Sequence, residues 1–519
     1  MKTVHTWCGL LLGGLIFAVF WMGTLSVFAH ETDAWMKPEL RVSYDPTVVS
    51  VDAYLDEIIA EYSGIGDTLT VQYPKRRDPV LRISFSDRSK RPHQIIVNPI
   101  SGERITDTDS LAGKGFFYPF HYNLHISWKG IGVWIVGFAA ISFLLMILSG
   151  LMIHRKIVAD FFVFRRKKSL RRSTLDLHNV TALVALPFHI AMPFTGLLIF
   201  AAIYLQSAAE VQYKGDRLAA AKEMSGLVLR PPGGTSNDSR ASIDGLVEDA
   251  MSRWSLKAGR TQKVDQARVF GFNDANGVVL IRQVFPSNDV ELSAFASSYD
   301  LYSGELLYDQ TRGPISSSYN WLSGLHYIQF DHWVLRWLYF LAGIASCVMI
   351  ASGQLSWMRA RIRKGNRKEE FVRAVRALTI GCVTGIIIAS GAFLVANRLL
   401  PRDAAFAGYG RSDLEVWVFF IVWIVSFCHA AVRDTKAWRD QSGAIAFIAA
   451  LAVLLNWVTT GDHLFKMIGE GLWPIAGMDL FLIASSVVAI ASAVRLFKTE
   501  RKLKPHKLET RALEHRAAK

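Results

Sequence analysis

The sequence predicts an α-helical integral membrane protein of about eight transmembrane helices, carrying two small extracytoplasmic α+β modules. Three observations predict it. Of 519 residues, 51% are hydrophobic, more than an ordinary soluble enzyme carries. Several stretches exceed the roughly 18 apolar residues that mark a membrane span. Positive charge collects in the short connections between them.

Spans are expected at 6–29, 131–153, 179–204, 334–357, 374–396, 414–432, 443–461 and 475–495. Each reaches, or nearly reaches, the length that crosses a hydrocarbon core of about 30 Å at about 1.5 Å per residue. Loop 154–177 carries eight Lys and Arg, 358–373 seven, turn 433–440 three, the tail from Arg495 nine, and Lys2 adds one. Those 28 basic residues meet nine acids in the same segments, a surplus of 19, so the rest of a chain of net charge +14 carries −5. The excess therefore reports topology, with both termini cytoplasmic, and argues against a nucleic-acid partner. The first span reads as a membrane helix; the alternative is a signal peptide cleaved after Val27-Phe28-Ala29. Cys8, Cys347, Cys382 and Cys428 all lie in apolar stretches, which excludes a disulfide scaffold, a zinc ribbon and a covalent c-type haem site.

The organisation that follows is a first span (1–30), a module (31–125), spans two and three around a basic loop (126–204), a second module (205–325) and a fourth span (326–358). A four-helix extension (359–500) and a basic tail (501–519) complete it. Each module should open with an amphipathic helix, Val51–Tyr62 in the first and Ser242–Trp254 in the second. Alternating strands follow at 69–73, 80–85 and 94–97, and at 267–272, 278–284 and 296–299. Each module is large enough to bury a core of its own.

The first four spans are two copies of one unit. Val4-His5, reaching Met22-Gly23, lines up with Leu177-His178, reaching Thr195-Gly196, and the His-to-Gly interval is 18 in both. Leu124-His125, reaching Ser149-Gly150, lines up with Leu325-His326, reaching Ser352-Gly353, with intervals differing by two. Val97-Asn-Pro-Ile-Ser-Gly-Glu-Arg-Ile105 matches Tyr299-Asp-Leu-Tyr-Ser-Gly-Glu-Leu-Leu307, both strand–turn–strand signatures.

With that hairpin beside paired His-bearing spans, the chain resembles the PepSY-associated transmembrane (PepSY_TM) proteins. The stretches Ser149-Gly-Leu-Met-Ile-His154 to Phe162 and Leu175-Asp-Leu-His178 to Thr195-Gly-Leu are similar to that family's most characteristic motifs. The resemblance covers roughly 1–365 and leaves the four C-terminal spans outside. It implies a bacterial cytoplasmic (inner) membrane protein related to iron-regulated dihaem ferrisiderophore reductases.

Neutral imidazole is the usual membrane ligand of haem iron. Seven of fourteen histidines sit in or beside the repeat spans: His5, His125, His154, His178, His189, His326 and His332. Recurrence in both copies favours ligation over an interfacial role for His5/His178 and His125/His326. Two b-type, bis-His haems are expected. The cytoplasmic-side haem would use His178 with His5 or His154; the outer one would draw on His125, His326 and His189. On a straight helix His178 and His189 share one face about 16 Å apart, though His189 could instead bond a neighbouring carbonyl beside Pro187 and Pro193. Arg336, Lys129 and Trp128 could meet propionates or anchor the interface.

The leading functional expectation is haem-mediated electron transfer that reduces a ferric siderophore or other ferric chelate outside the membrane, a ferric-chelate reductase activity. No Gly-x-Gly-x-x-Gly follows a strand and no cytoplasmic segment is long enough to fold as a flavin or nicotinamide domain, so quinol or a separate reductase would supply electrons. The −5 balance favours neutral or cationic chelates such as ferric hydroxamates, and a homodimer is compatible with the layout. The alternatives are a non-enzymatic anchored regulator of a peptidase or cell-wall enzyme, and a secondary transporter using Asn456, Asp462, His463 and Asp479.

Overall fold

A computed structural model describes residues 1–519 except 45–49, 63–64, 107–108, 154–169, 205–213, 217–221, 223–225, 237–238, 284–289, 293–294, 311–313, 363–368 and 518–519. The chain forms two compact units. A helical unit comprises Met1–Pro38, Thr108–Ile190 and Tyr339–Lys519, and a sheet unit comprises Glu39–Asp107 and Ala191–Leu338.

The structure is mostly helical. Among the described residues five stretches are long and apolar enough to cross a membrane: Trp128–Ile153, Trp333–Ala360, Glu370–Leu399, Arg411–Thr460 and Trp473–Arg501. The count rises to seven if each of two bent pairs is one span. The 50-residue stretch holds two helices, Arg411–Arg433 and Ala437–Thr460, separated by a turn at Asp434–Lys436.

The bent pairs correct the expectation of straight helices in spans one and three. Lys2–Leu11 meets Gly13–Ser26 at 64°, and Arg172–Val184 meets Leu186–Ile199 at 65°. The breaks fall at Leu12 and Ala185, each seven residues after the repeat histidine. In the first copy Gly13-Gly14 are poor helix formers. In the second, Pro187 cannot donate to the preceding turn and crowds it. The reckoning that His178 and His189 share one straight face therefore fails.

The helical unit has one large apolar core, to which Ile16, Phe17 and Met22 contribute alongside Phe116, Phe143, Phe393, Phe419 and Ile475. Phe116 stacks on Phe393 at 4.4 Å between ring centroids. Polar contacts bind the C-terminal helices to the segments before them. Trp21 Nε1 donates to Ser390 Oγ at 3.0 Å, Trp35 Nε1 to Asp479 Oδ1 at 2.7 Å, and Ser110 Oγ to Glu415 Oε2 at 2.6 Å.

In the sheet unit, β1 (Ile65–Gln72), β2 (Leu81–Asp87), β3 (Pro92–Val97) and β4 (Arg104–Ile105) come from the first module. The second supplies β5 (Val264–Phe270), β6 (Val278–Gln283), β7 (Ala296–Asp300) and β8 (Leu306–Asp309). They form one eight-stranded antiparallel sheet in the order β4-β3-β2-β1-β5-β6-β7-β8. The joint is β1 against β5, with Leu69 opposite Val269 and Val71 opposite Ala267. The expectation of two separate cores gives way to a single one, shared by Leu55, Leu69, Ile83, Trp254, Val269 and Ile281. Merging removes the exposed edges that β1 and β5 would otherwise present.

Helices Asp52–Glu61 and Ile243–Ala258 cap each other. The Asp244 carboxylate accepts from the backbone N–H of Val51 (2.8 Å) and Asp52 (3.2 Å), and the Asp52 carboxylate accepts from Ile243 and Asp244 (both 3.1 Å). The hairpin turns match as well. Asn98 Oδ1 accepts from Ile100 and Ser101, and Asp300 Oδ1 from Tyr302 and Ser303. This position is a turn acceptor, a role Asn and Asp fill equally well.

Candidate functional site

The repeat histidines are held by one recurring contact. His5 lies against Gly150, and its Nδ1 is 3.0 Å from the carbonyl of Met146, four residues earlier on the facing helix Ile131–Ile153. His178 lies against Gly353, with Nδ1 2.8 Å from the carbonyl of Met349, again four residues earlier. The serines before both glycines bond the same carbonyls, Ser149 Oγ to Met146 and Ser352 Oγ to Met349, at 3.0 Å each. A carbonyl oxygen can only accept. Nδ1 therefore carries the proton in both rings, and Nε2 presents its lone pair, the arrangement typical of a ligating imidazole.

The glycines leave room for the rings. A Cβ at Gly150 would stand 3.2 Å from His5 Cε1, and one at Gly353 would stand 2.9 Å from His178 Nδ1. The same device recurs at the other ends of the spans. His121 packs on Gly23 with Nδ1 2.8 Å from the Val19 carbonyl, and His326 packs on Gly196 with Nδ1 3.1 Å from Thr195 Oγ.

His121, overlooked in the sequence, thus occupies the repeat position expected of His125. His125 stacks on Phe116 at 4.7 Å, and its Nε2 is 2.8 Å from the Phe116 carbonyl, so that nitrogen is committed to the backbone. Helix Ala112–Asn123 carries His121, whereas His125 lies past its left-handed end at Leu124.

Within the helical unit the bends open a cavity of about 540 Å³, within the roughly 300–1,000 Å³ of small-molecule and cofactor sites. It is lined by His5, His178 and His189 among Gly13, Phe143, Gly150, Gly353 and Gln354, with Arg172, Asn179 and Trp357 also present. The rings of His5 and His178 are 6.3 Å apart between centroids and nearly perpendicular, at 78°. Two imidazoles sharing one metal, at about 2 Å per bond, would place their centroids roughly 6 to 6.5 Å apart.

His189 enters the cavity from beyond the bend. Its Nδ1 is 3.2 Å from the Ala182 carbonyl, and its buried Nε2 has no hydrogen-bond partner. The buried Gln354 Oε1 is likewise unpartnered. In the first copy the position matching His189 is Ile16, which lines the same cavity. The donor set, the tautomers and the space fit a haem. Among the described residues, no three His, Cys, Asp or Glu side chains close around a point as for a bare ion.

The remaining expected positions fall elsewhere. His154 lies outside the described residues. His332 Nδ1 accepts from the backbone N–H of Leu335 at 3.3 Å, at the start of helix Trp333–Ile362. Arg336 is buried with its guanidinium 5.3 Å from the Trp333 ring centroid, and Lys129 lies over the exposed Trp128 at 5.2 Å.

A family model described as the PepSY-associated TM region matches residues 2–360. An uncharacterised protein of Pseudomonas aeruginosa is 26% identical over 386 residues, 72% of this chain and 92% of that protein.

Proposed function

We propose that this chain, which belongs to the PepSY-associated TM region family, transfers electrons through haem across the bacterial inner membrane and reduces a ferric chelate on the outer side. One observation carries the reading: His5 and His178 face each other at 6.3 Å across a cofactor-sized cavity, each with Nδ1 bonded to the facing helix.

In this reading His5 and His178 hold a b-type haem, which supplies one-electron transfer when bound. Met146 and Met349 fix the two tautomers through their carbonyls, and Phe143, Ile16 and Ile350 keep water from the cavity. A second haem is expected at the other ends of these spans, where His121 carries the same glycine support in the helical unit. Quinol or a separate reductase supplies the electrons. One electron converts the bound ferric ion to ferrous, which hard oxygen donors hold less tightly, so the chelate releases it.

Counting the two helices of Arg411–Thr460 as two crossings gives eight spans; an even number puts both termini on one side, and the basic connections favour the cytoplasmic side. The test is reconstitution in vesicles with the protein reduced. A ferric hydroxamate added on the side of the sheet unit should reoxidise the protein and yield ferrous iron on that side. Unchanged absorbance, or ferrous iron only in the lumen, contradicts the reading.

A further inference from the structure

The sheet has two faces with opposite chemistry. Ala267, Val269, Val279 and Ile281 point toward the helices and are buried there. On the opposite face β5 presents Gln266 and Arg268, and β6 presents Leu280 and Arg282. The register sets Gln266 beside Arg282 and Arg268 beside Leu280, so the two arginines are diagonal neighbours on adjacent strands, about 7–8 Å apart at the backbone and within mutual reach of long side chains. Across β1 and β2 the same rows continue through Gln72 and Arg82, and through Thr70 and Ser84.

Arg82 is paired with Asp78 at 2.6 Å, and Asp265, the acid that acts on Arg282, is engaged by Lys75. Arg268 lies over the Phe270 ring, 4.8 Å from its centroid. Among the described residues neither Arg268 nor Arg282 makes a hydrogen bond or ion pair. Arg282 is nevertheless largely desolvated: burial, then the charge of Arg268, holds its guanidinium below its usual value, with Asp265 acting the other way. A desolvated, unpaired cation beside a second cation is costly unless an anion joins it.

We propose that Arg268 and Arg282 form an anion site on the sheet face opposite the helices, which takes a small molecule bearing two or more carboxylates. Each guanidinium is a planar fork matched to one carboxylate. Two forks on neighbouring strands suit two carboxylates of one molecule, and the Gln266 amide and Thr70 hydroxyl add donors along the same rows. Local charge governs here, because fields from the rest of the chain are screened within about 10 Å. The site therefore accepts an anion despite the −5 balance outside the cytoplasmic segments.

The inference stands apart from the redox reading, and its test needs no haem. Full-length protein in detergent is titrated calorimetrically with iron-free citrate at low salt. Citrate should bind, with Arg282→Gln and the exposed-site Arg268→Gln each weakening it at least about ten-fold. Arg282→Lys should give an intermediate loss, and Arg253→Gln, on a helix of the other face, no change. Thermal midpoints of the Gln variants should equal or exceed that of the parent, since an unpaired charge is removed. Absence of citrate binding, binding by both Gln variants as tight as by the parent, or tighter binding of inorganic phosphate than of citrate overturns the proposal.

Discussion

Around His178 three neighbours act on one ring: the Met349 carbonyl accepts the hydrogen bond from Nδ1–H, Ser352 shares that carbonyl, and Gly353 leaves room for the imidazole. Gly353→Ala should therefore strip cofactor without unfolding the span. Its Cβ would stand 2.9 Å from Nδ1, while alanine favours a helix by about 1 kcal/mol over glycine. Haem per protein should fall at normal membrane abundance, and an unchanged ratio would show that the ring is not so confined. A second residue-scale expectation concerns Asp52 in the sheet unit. Burial opposes its ionisation, but hydrogen bonds from Ser242, Arg240 and the N–H groups of Asp244 and Ile243 outweigh it and hold the carboxyl below its usual range. The native state thus binds fewer protons than the unfolded chain. The stability this contributes is full above the ordinary carboxylate value of about 3.9 and is lost as pH falls through the lower, folded value. Thermal midpoints between pH 6 and pH 3 should fall less steeply for Asp52→Asn than for the parent protein.

At the scale of elements, the reciprocal cap joins the two copies of the module. Asp244→Ala removes the acceptor for Val51 and Asp52 and should cost about 1 kcal/mol, read as a lower denaturation midpoint. Combining it with Asp52→Ala should cost less than the sum, because each carboxylate sits at the N-terminus the other caps. Much of this layer was legible beforehand. The amphipathic run Val51–Tyr62 became helix Asp52–Glu61, and Ser242 supplied the N-cap of Ile243–Ala258 through Gly245. Six expected strands appeared within a few residues of their positions. The pairing of β1 with β5 was not legible, since its partners lie almost two hundred residues apart and no local turn announces them. His121 was missed for a related reason. Leu124-His125 copies Leu325-His326 in letters, yet the helix ends between the two histidines and turns only His121 toward Gly23. The bends were foreshadowed by Gly13-Gly14 and Pro187, but a hydropathy pattern does not report an angle.

For the whole molecule, the family resemblance stops at residue 360, whereas the apolar core does not. Trp21, Trp35 and Ser110 make hydrogen bonds to Ser390, Asp479 and Glu415, all beyond that limit. Truncation after Lys364 should therefore leave buried donors unpaired, at about 1–3 kcal/mol each, and yield protein of lower thermal midpoint and greater protease sensitivity. A truncated form as stable as the full chain would make the extension an independent appendage. The central claim is that the first four spans hold haem through paired repeat histidines, and it is tested most directly by a reduced-minus-oxidised optical spectrum with a pyridine haemochrome count. The account predicts two low-spin b-type haems in the full chain and about one after His178→Ala, with the variant still inserted in the membrane. A full chain that binds no haem, or a His178→Ala variant with both haems and an unchanged spectrum, would contradict it.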